Sequence, residues 1–338
     1  MLAFACPVCA RLVTFESVRC LNCGSVIGFD FASNQMRRVA EDSSAAPHRR
    51  CANAQLAACN WLVSSERELC FSCSLTRTRP NDADEKGLAG FAAAEIAKRR
   101  LVFELASLGL PILSWQQQAG GLAFDLLASN DEPVTTGHAD GVITLDLDET
   151  DPVQREHMRI RLGEPYRTVL GHFRHEIGHY YEQVLVTPGS VIEDRCREIF
   201  GDEREDYEQA MSRYYERGPE PEWAQGHVSA YATMHPWEDF AETFAHYLHI
   251  RDTLQTAEAY GVRVEGPAIP TTDLVPLHAT ADGQADMATM FDTWIPMTYA
   301  LNAISRSMGE SDLYPFILGT EVEAKLAFID GLVRARSG

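Results

Sequence analysis

Eight of the nine cysteines in this 338-residue chain fall within its first 73 residues, and that crowding constrains the fold more than any other feature. Cys6-x2-Cys9 and Cys20-x2-Cys23 form one set of four thiols, with ten residues between the pairs. Cys51, Cys59, Cys70 and Cys73 form a second set, closed by Cys70-x2-Cys73. Paired C-x2-C knuckles suit tetrahedral structural zinc. The second set is the looser one, because Cys51-x7-Cys59 is not a knuckle, and spacing alone leaves cross-pairing between the sets open. The N-terminus has no apolar h-region, and no apolar run approaches the ~18 residues of a membrane span. A cytoplasmic bacterial protein is therefore expected. In that compartment clustered cysteines point to metal before disulfides, redox chemistry or an iron–sulfur cluster. Cys196 stands alone and reads as a small buried side chain.

A second metal signature lies further on, at His175-Glu176-Ile177-Gly178-His179. It sits in a run from Tyr166 to Val186 where Val169, Leu170, Phe173, Ile177 and Val184 recur at helical spacing. On a helix, residues i and i+4 share a face, so both imidazoles can reach one zinc ion. Glu176 then points beside the metal, where it can take a proton from a water that the zinc activates. Gly171 and Gly178 each cost a helix about 1 kcal/mol relative to Ala. Their presence implies close packing or a metal near the backbone.

Trp237–Ile250 reads W-E-D-F-A-E-T-F-A-H-Y-L-H-I after Pro236, a good residue for a helix start. Glu238, Glu242, His246 and His249 fall on one face, and the remaining positions are apolar enough for burial. A catalytic zinc needs a third protein ligand and an open fourth position. The stripe offers Glu238 as that ligand, with Asp239, Glu242 and His246 as alternatives. It also offers Glu242 as a carboxylate that orients a ligand His.

These residues resemble the gluzincin type of zinc metallopeptidase. The segment Glu238 to Phe244 is similar to the third-ligand helix of the lethal-factor-like peptidases. That resemblance implies Glu238 as ligand and Tyr231, seven residues earlier, as a hydrogen-bond donor to the oxyanion of the tetrahedral intermediate. His235 or His246 would be substitutes for Tyr231. A narrower pattern comprises Cys59-Asn60-Trp61, Gly163–Tyr181, Trp237–His249 and Tyr314-Pro315-Phe316. By it the chain is identified, over essentially its whole length, as a member of the bacterial family of zinc-binding metallopeptidases with an N-terminal zinc ribbon. The resemblance implies a class and no substrate.

Charge is uneven along the chain. Residues 1–80 carry nine Arg against six acids, and the remainder has 20 Lys or Arg against 43 acids, a net of about −23. The acidic part repels nucleic acid. In residues 1–80 the basic excess is cancelled by roughly −2 per Zn(Cys)4 centre, and no Lys/Arg cluster alternates with aromatics. A protein partner or a substrate-presenting role suits the ribbon better.

Arg79 to Gly87 reads as a polar linker, so a ribbon domain is expected over 1–80 and a zincin-like domain over 81–338. Leu88–Leu108 has helical periodicity, and Leu122–Leu127 reads as a strand. Gly141–Asp148 alternates as a half-buried strand, the natural candidate for the edge strand that pairs with extended substrate. Everything after Asp151 reads mainly as helix, including an acidic insertion over Ser190–Gln225 and C-terminal helices near Ala285–Arg306 and Gly319–Arg336. Gly261–Gly283 reads as a long loop. The insertion is expected to be a solvated face, or else an acidic wall favouring basic substrates.

The expected fold class is α+β: a mostly helical zincin-like metallopeptidase domain with a small sheet, preceded by a Cys-rich zinc ribbon. The expected function is hydrolysis of a peptide bond, with Glu176 as general base and one catalytic and two structural zinc ions. The substrate is a peptide or protein. Two alternatives accompany this reading: a partner-binding ribbon protein with a structural or vestigial zincin centre, and an amidase or isopeptidase acting on a non-standard amide.

Overall fold

The computed structural model describes residues 2–39, 48–64, 66–129, 133–162, 167–265 and 287–337. The start of the Gly163–Tyr181 motif, most of the loop expected over 261–283, and the expected helix start at Ala285 lie outside them.

The chain packs as two compact units. The first comprises Met1–Ser107, Ile112–Leu162 and Thr168–Phe173. It opens with the antiparallel pairs β1 (Phe4–Ala5) with β2 (Leu12–Val13), β3 (Ile27–Asp30) with β4 (Gln35–Arg38), and β5 (Arg49–Arg50) with β6 (Leu62–Val63). Strands this short have little ladder to hold them. Their core is aromatic instead. Phe15, Phe29 and Trp61 are buried and pack edge-on or tilted against one another, with Phe103 closing the cluster. The Asn60 amide donates to the Phe15 carbonyl at 2.5 Å, so Cys59-Asn60-Trp61 joins a cysteine to this core.

A one-turn helix, α1 (Phe71–Ser74), leads into β7 (Thr76–Thr78) and then into α2 (Glu85–Ser107). Helix α2 thus starts inside the segment expected to be linker. Its buried face holds a fully enclosed ion pair: Lys98 Nζ lies 2.5 Å from Glu95 Oε1, with the Thr76 hydroxyl bonded to both groups. A carboxylate taken out of water must be paired in this way.

Strands β8 (Ala123–Leu127), β9 (Gly137–Ala139) and β10 (Val142–Asp146) complete a four-stranded sheet in the order β7-β8-β10-β9. This order corrects one expectation. The alternating strand at Val142–Asp146 is interior, parallel to β8 on one side and antiparallel to β9 on the other. Over Val142–Thr144 it is paired on both sides, so that stretch is not a free edge for substrate. The reason is β9, three residues long and too short to show an alternating pattern. Helix α3 (Pro152–Leu162) follows.

Helix α4 (Val169–Leu185) begins in the first unit and passes into the second, which comprises Leu108–Pro111, Gly163–Arg167 and Arg174–Gly338. The described remainder is helical: α5 (Val191–Phe200), α6 (Tyr207–Arg217), α7 (Pro236–Ala259), α8 (Met287–Ser307) and α9 (Thr320–Ser337). Helix α7 is the centre of this unit, buried almost without a break from Glu238 to Ile250. Its apolar side carries Phe240, Phe244 and Tyr247, packed with Tyr181 of α4 and Phe200 of α5. Small sheets with a predominantly helical second unit make the fold α+β. Among the described residues no helix is long and apolar enough to cross a membrane.

Candidate metal centres

The eight N-terminal cysteines form two separate clusters. The Sγ atoms of Cys6, Cys9, Cys20 and Cys23 lie within 4.8 Å of one another, as do those of Cys51, Cys59, Cys70 and Cys73. Neighbouring sulfurs are 3.7 Å apart for Cys6 and Cys23, 3.6 Å for Cys9 and Cys20, and 3.7 Å for Cys59 and Cys70. Zinc–sulfur bonds of about 2.3 Å at tetrahedral angles put sulfurs roughly 3.8 Å apart, so both clusters fit zinc. Cys196 is buried and free, outside both.

The third cluster is built by α4 and α7. The helical spacing within α4 brings the His175 and His179 rings together, with centroids 4.9 Å apart. Glu238, in the first turn of α7, projects between them. Its Oε2 lies 2.9 Å from His175 Nε2 and 3.5 Å from His179 Nε2. That oxygen is buried and has no hydrogen-bond partner among the described residues. The contacts are close but out of line for hydrogen bonds. Two nitrogens and an oxygen bound to zinc at about 2.0–2.1 Å would stand roughly 3.3 Å from one another, so this donor set also fits zinc.

Electrostatics point the same way. Burial disfavours a charged His175, yet Glu238 and Glu242 raise its pKa well above the usual imidazole range. Burial would raise the Glu238 carboxyl, yet the two imidazoles hold it well below the carboxylate range. The pocket stabilises a positive charge at the point where the donors converge, and a metal ion would replace the proton there.

Each donor is oriented by a neighbour. Glu242 Oε1 lies 2.7 Å from His175 Nδ1, leaving Nε2 for the metal. The other oxygen of Glu242 accepts from the Ser229 hydroxyl at 2.5 Å. Burial opposes the charge on Glu242, but the His175 contact holds its pKa down at about 2. Trp237 lies over His179, with ring centroids 3.9 Å apart. The Tyr207 hydroxyl donates to Glu238 Oε1 at 2.7 Å.

The other expected site residues separate by position. Glu176 is buried, one residue past His175. Tyr231 packs its ring 5.9 Å from that of His175. Asp239 turns away from the cluster to Lys325, 2.6 Å from its Nζ. His246 hydrogen-bonds the Tyr314 hydroxyl through Nδ1 at 2.7 Å, and burial lowers its pKa to about 4. His235 uses both ring nitrogens: Nε2 donates to the Glu205 carbonyl, and Nδ1 accepts from the Trp237 amide at the start of α7. Neither Asp239 nor His246 is brought to the donor cluster, and His235 has no hydrogen left to offer an oxyanion. Tyr207 and Ser229 went unnoticed in the sequence. Nothing in their spacing marks them, because one comes from the acidic insertion and the other from the loop before α7.

Comparison with known proteins decides the class. A family model described as "Putative zinc-binding metallo-peptidase" matches residues 87–332, and a zinc-ribbon model matches residues 3–84. The chain belongs to this metallopeptidase family. Uncharacterized proteins of Mycobacterium tuberculosis and Mycobacterium bovis are 50% identical to it over 333 residues, covering 98% of this chain and 94% of theirs. No solved structure matches.

Behind this candidate centre α4 and α7 approach closely. A Cβ on Gly178 would sit 2.8 Å from Ala241 Cα and 2.9 Å from the Ala241 carbonyl oxygen. Both obstacles are backbone, so Gly178→Ala has to push α4 away from α7. We expect a loss of about 1–3 kcal/mol in stability, typical of overpacking, together with loss of the metal that His175, His179 and Glu238 would share. Chemical denaturation and zinc content measured on the same preparation check both parts.

Proposed function

We propose that this chain is a zinc-dependent peptidase in which His175, His179 and Glu238 hold the catalytic metal. The observation that carries the reading is the convergence of two imidazole nitrogens on one buried carboxylate oxygen that has no hydrogen-bond partner among the described residues. Zinc bound there would act as a Lewis acid on the scissile carbonyl and lower the pKa of water. Glu176, buried one residue past His175, takes the proton of the attacking water and returns it to the leaving amine. Tyr231 donates to the developing oxyanion. Glu242 and Ser229 keep His175 in the tautomer that presents Nε2.

In this reading the two cysteine clusters hold structural zinc, for three ions per chain. Residues 1–80 form the ribbon domain and 81–338 the catalytic domain. The substrate is a peptide or protein, and the ribbon is the element that would engage a protein partner. The test is hydrolysis of a quenched-fluorescent peptide library by the zinc-loaded chain. A chelator that strips the third zinc should abolish cleavage, and added zinc should restore it. Cleavage that persists after the third zinc has gone would sink the proposal.

A further inference from the structure

The acidic insertion between α4 and α7 reaches the metal donors through one side chain. Tyr207 is the first residue of α6, and its hydroxyl donates to Glu238 Oε1 at 2.7 Å. We propose that Tyr207 is a positioning residue, which holds Glu238 by one carboxylate oxygen so that only the other is offered to the metal. The proposal rests on the reading of His175, His179 and Glu238 as a metal centre.

Three observations support it. First, the two oxygens of Glu238 have different surroundings: Oε1 is held by Tyr207, and Oε2 lies between the two imidazoles with no hydrogen-bond partner among the described residues. Second, Tyr207 is fixed from both sides. The Asp206 side chain accepts from the Gln209 amide at 3.0 Å and caps α6. His235 donates to the Glu205 carbonyl at 3.1 Å, tying the approach to α6 to the residue that caps α7. The metal-facing turn of α7 and the start of α6 are therefore latched together within two residues of Tyr207. Third, the Tyr207 ring meets His235 and Trp237 at 5.3 Å and 5.8 Å between centroids, which leaves the hydroxyl little freedom to swing away.

The chemical consequence is coordination number. A glutamate with both oxygens free can chelate a metal and occupy a position that water or substrate needs. With Oε1 held by a phenol, Glu238 would offer a bound metal one atom and leave a position open. The insertion thus supplies a clamp on the third ligand rather than only a solvated or acidic face.

The experiment uses the full-length chain with Tyr207→Phe, which keeps the ring packing and deletes the hydroxyl. Zinc affinity of the third site is measured by chelator competition with both cysteine clusters loaded. The cobalt-substituted third site is examined by visible absorption. Removing a partner that orients a ligand weakens metal binding by roughly 10- to 100-fold. That loss is expected, with weaker cobalt d–d bands as the coordination number rises. Tyr231→Phe, which leaves the Glu238 contact intact, should keep wild-type affinity and wild-type bands. Tyr207→Phe with both readouts unchanged would overturn the proposal. So would loss in both variants alike, because the hydrogen bond to Glu238 would then not be the cause. A wild-type chain that takes up no third metal, or takes it up equally well as His175→Ala/His179→Ala, would instead overturn the metal-centre reading itself.

Discussion

Glu176→Gln is expected to retain all three zinc ions and to lose hydrolysis. The carboxamide has nearly the shape of the carboxylate. The three donors His175, His179 and Glu238 are untouched, and so are the contacts from Glu242 and Tyr207 that orient them. What disappears, in the proposed mechanism, is the group that accepts the proton of the attacking water. General acid–base assistance is worth typically about 10²–10⁴ in rate, and in the proposed mechanism one residue performs both proton transfers. A fall in kcat of at least roughly 10²-fold with little change in KM is the signature of an interaction made in the transition state. Full activity in the variant would refute the mechanism. Loss of the third zinc alongside activity would move Glu176 from chemistry to metal retention. If the intact chain cleaves no peptide while carrying three zinc ions, the ribbon-centred binding reading gains ground.

The parts of this centre that were legible in the sequence are those carried by helical repetition. His175 and His179 are four apart on α4, and Glu238 and Glu242 are four apart on α7, so local geometry alone puts each pair on one face. Gly178 was readable as a close approach because helices seldom accept glycine without one, and Ala241 is the backbone it faces. Tyr207 and Ser229 were invisible for the opposite reason. Each reaches the site from a segment whose path is set by tertiary packing, and a tyrosine in an acidic helix looks like any amphipathic surface residue. The sheet failed in a similar way. The alternation of Val142–Asp146 reveals a strand, but its place between β8 and β9 depends on partners far away or too short to recognise. His246 and His249 lie on the same stripe as the donors yet turn to Tyr314 and Arg174, showing that a shared helix face is necessary for a site and not sufficient.

Cys59→Ser is expected to lower the zinc content from three ions to two at most and to unfold the ribbon around the lost site. The strands that frame the two clusters are two to four residues long, too short to hold one another in water. Structural zinc contributes roughly 10–16 kcal/mol in small metal-dependent folds, about as much as the whole stability of an ordinary domain. Cys59 is also chemically continuous with the core: Asn60 bonds the Phe15 carbonyl, and Trp61, wholly buried, packs on Phe15, Phe29 and Phe31. Losing the thiolate therefore frees the segment that closes the aromatic cluster. The near-ultraviolet circular dichroism of Trp61 should collapse, and proteolysis should begin within the first 75 residues. Cys196→Ser, at the buried thiol that belongs to no cluster, should keep three zinc ions and the same spectrum. A Cys59→Ser chain that keeps three zinc ions and an ordered Trp61 would mean that the aromatic core folds without its metal, and the second cluster would lose its structural role.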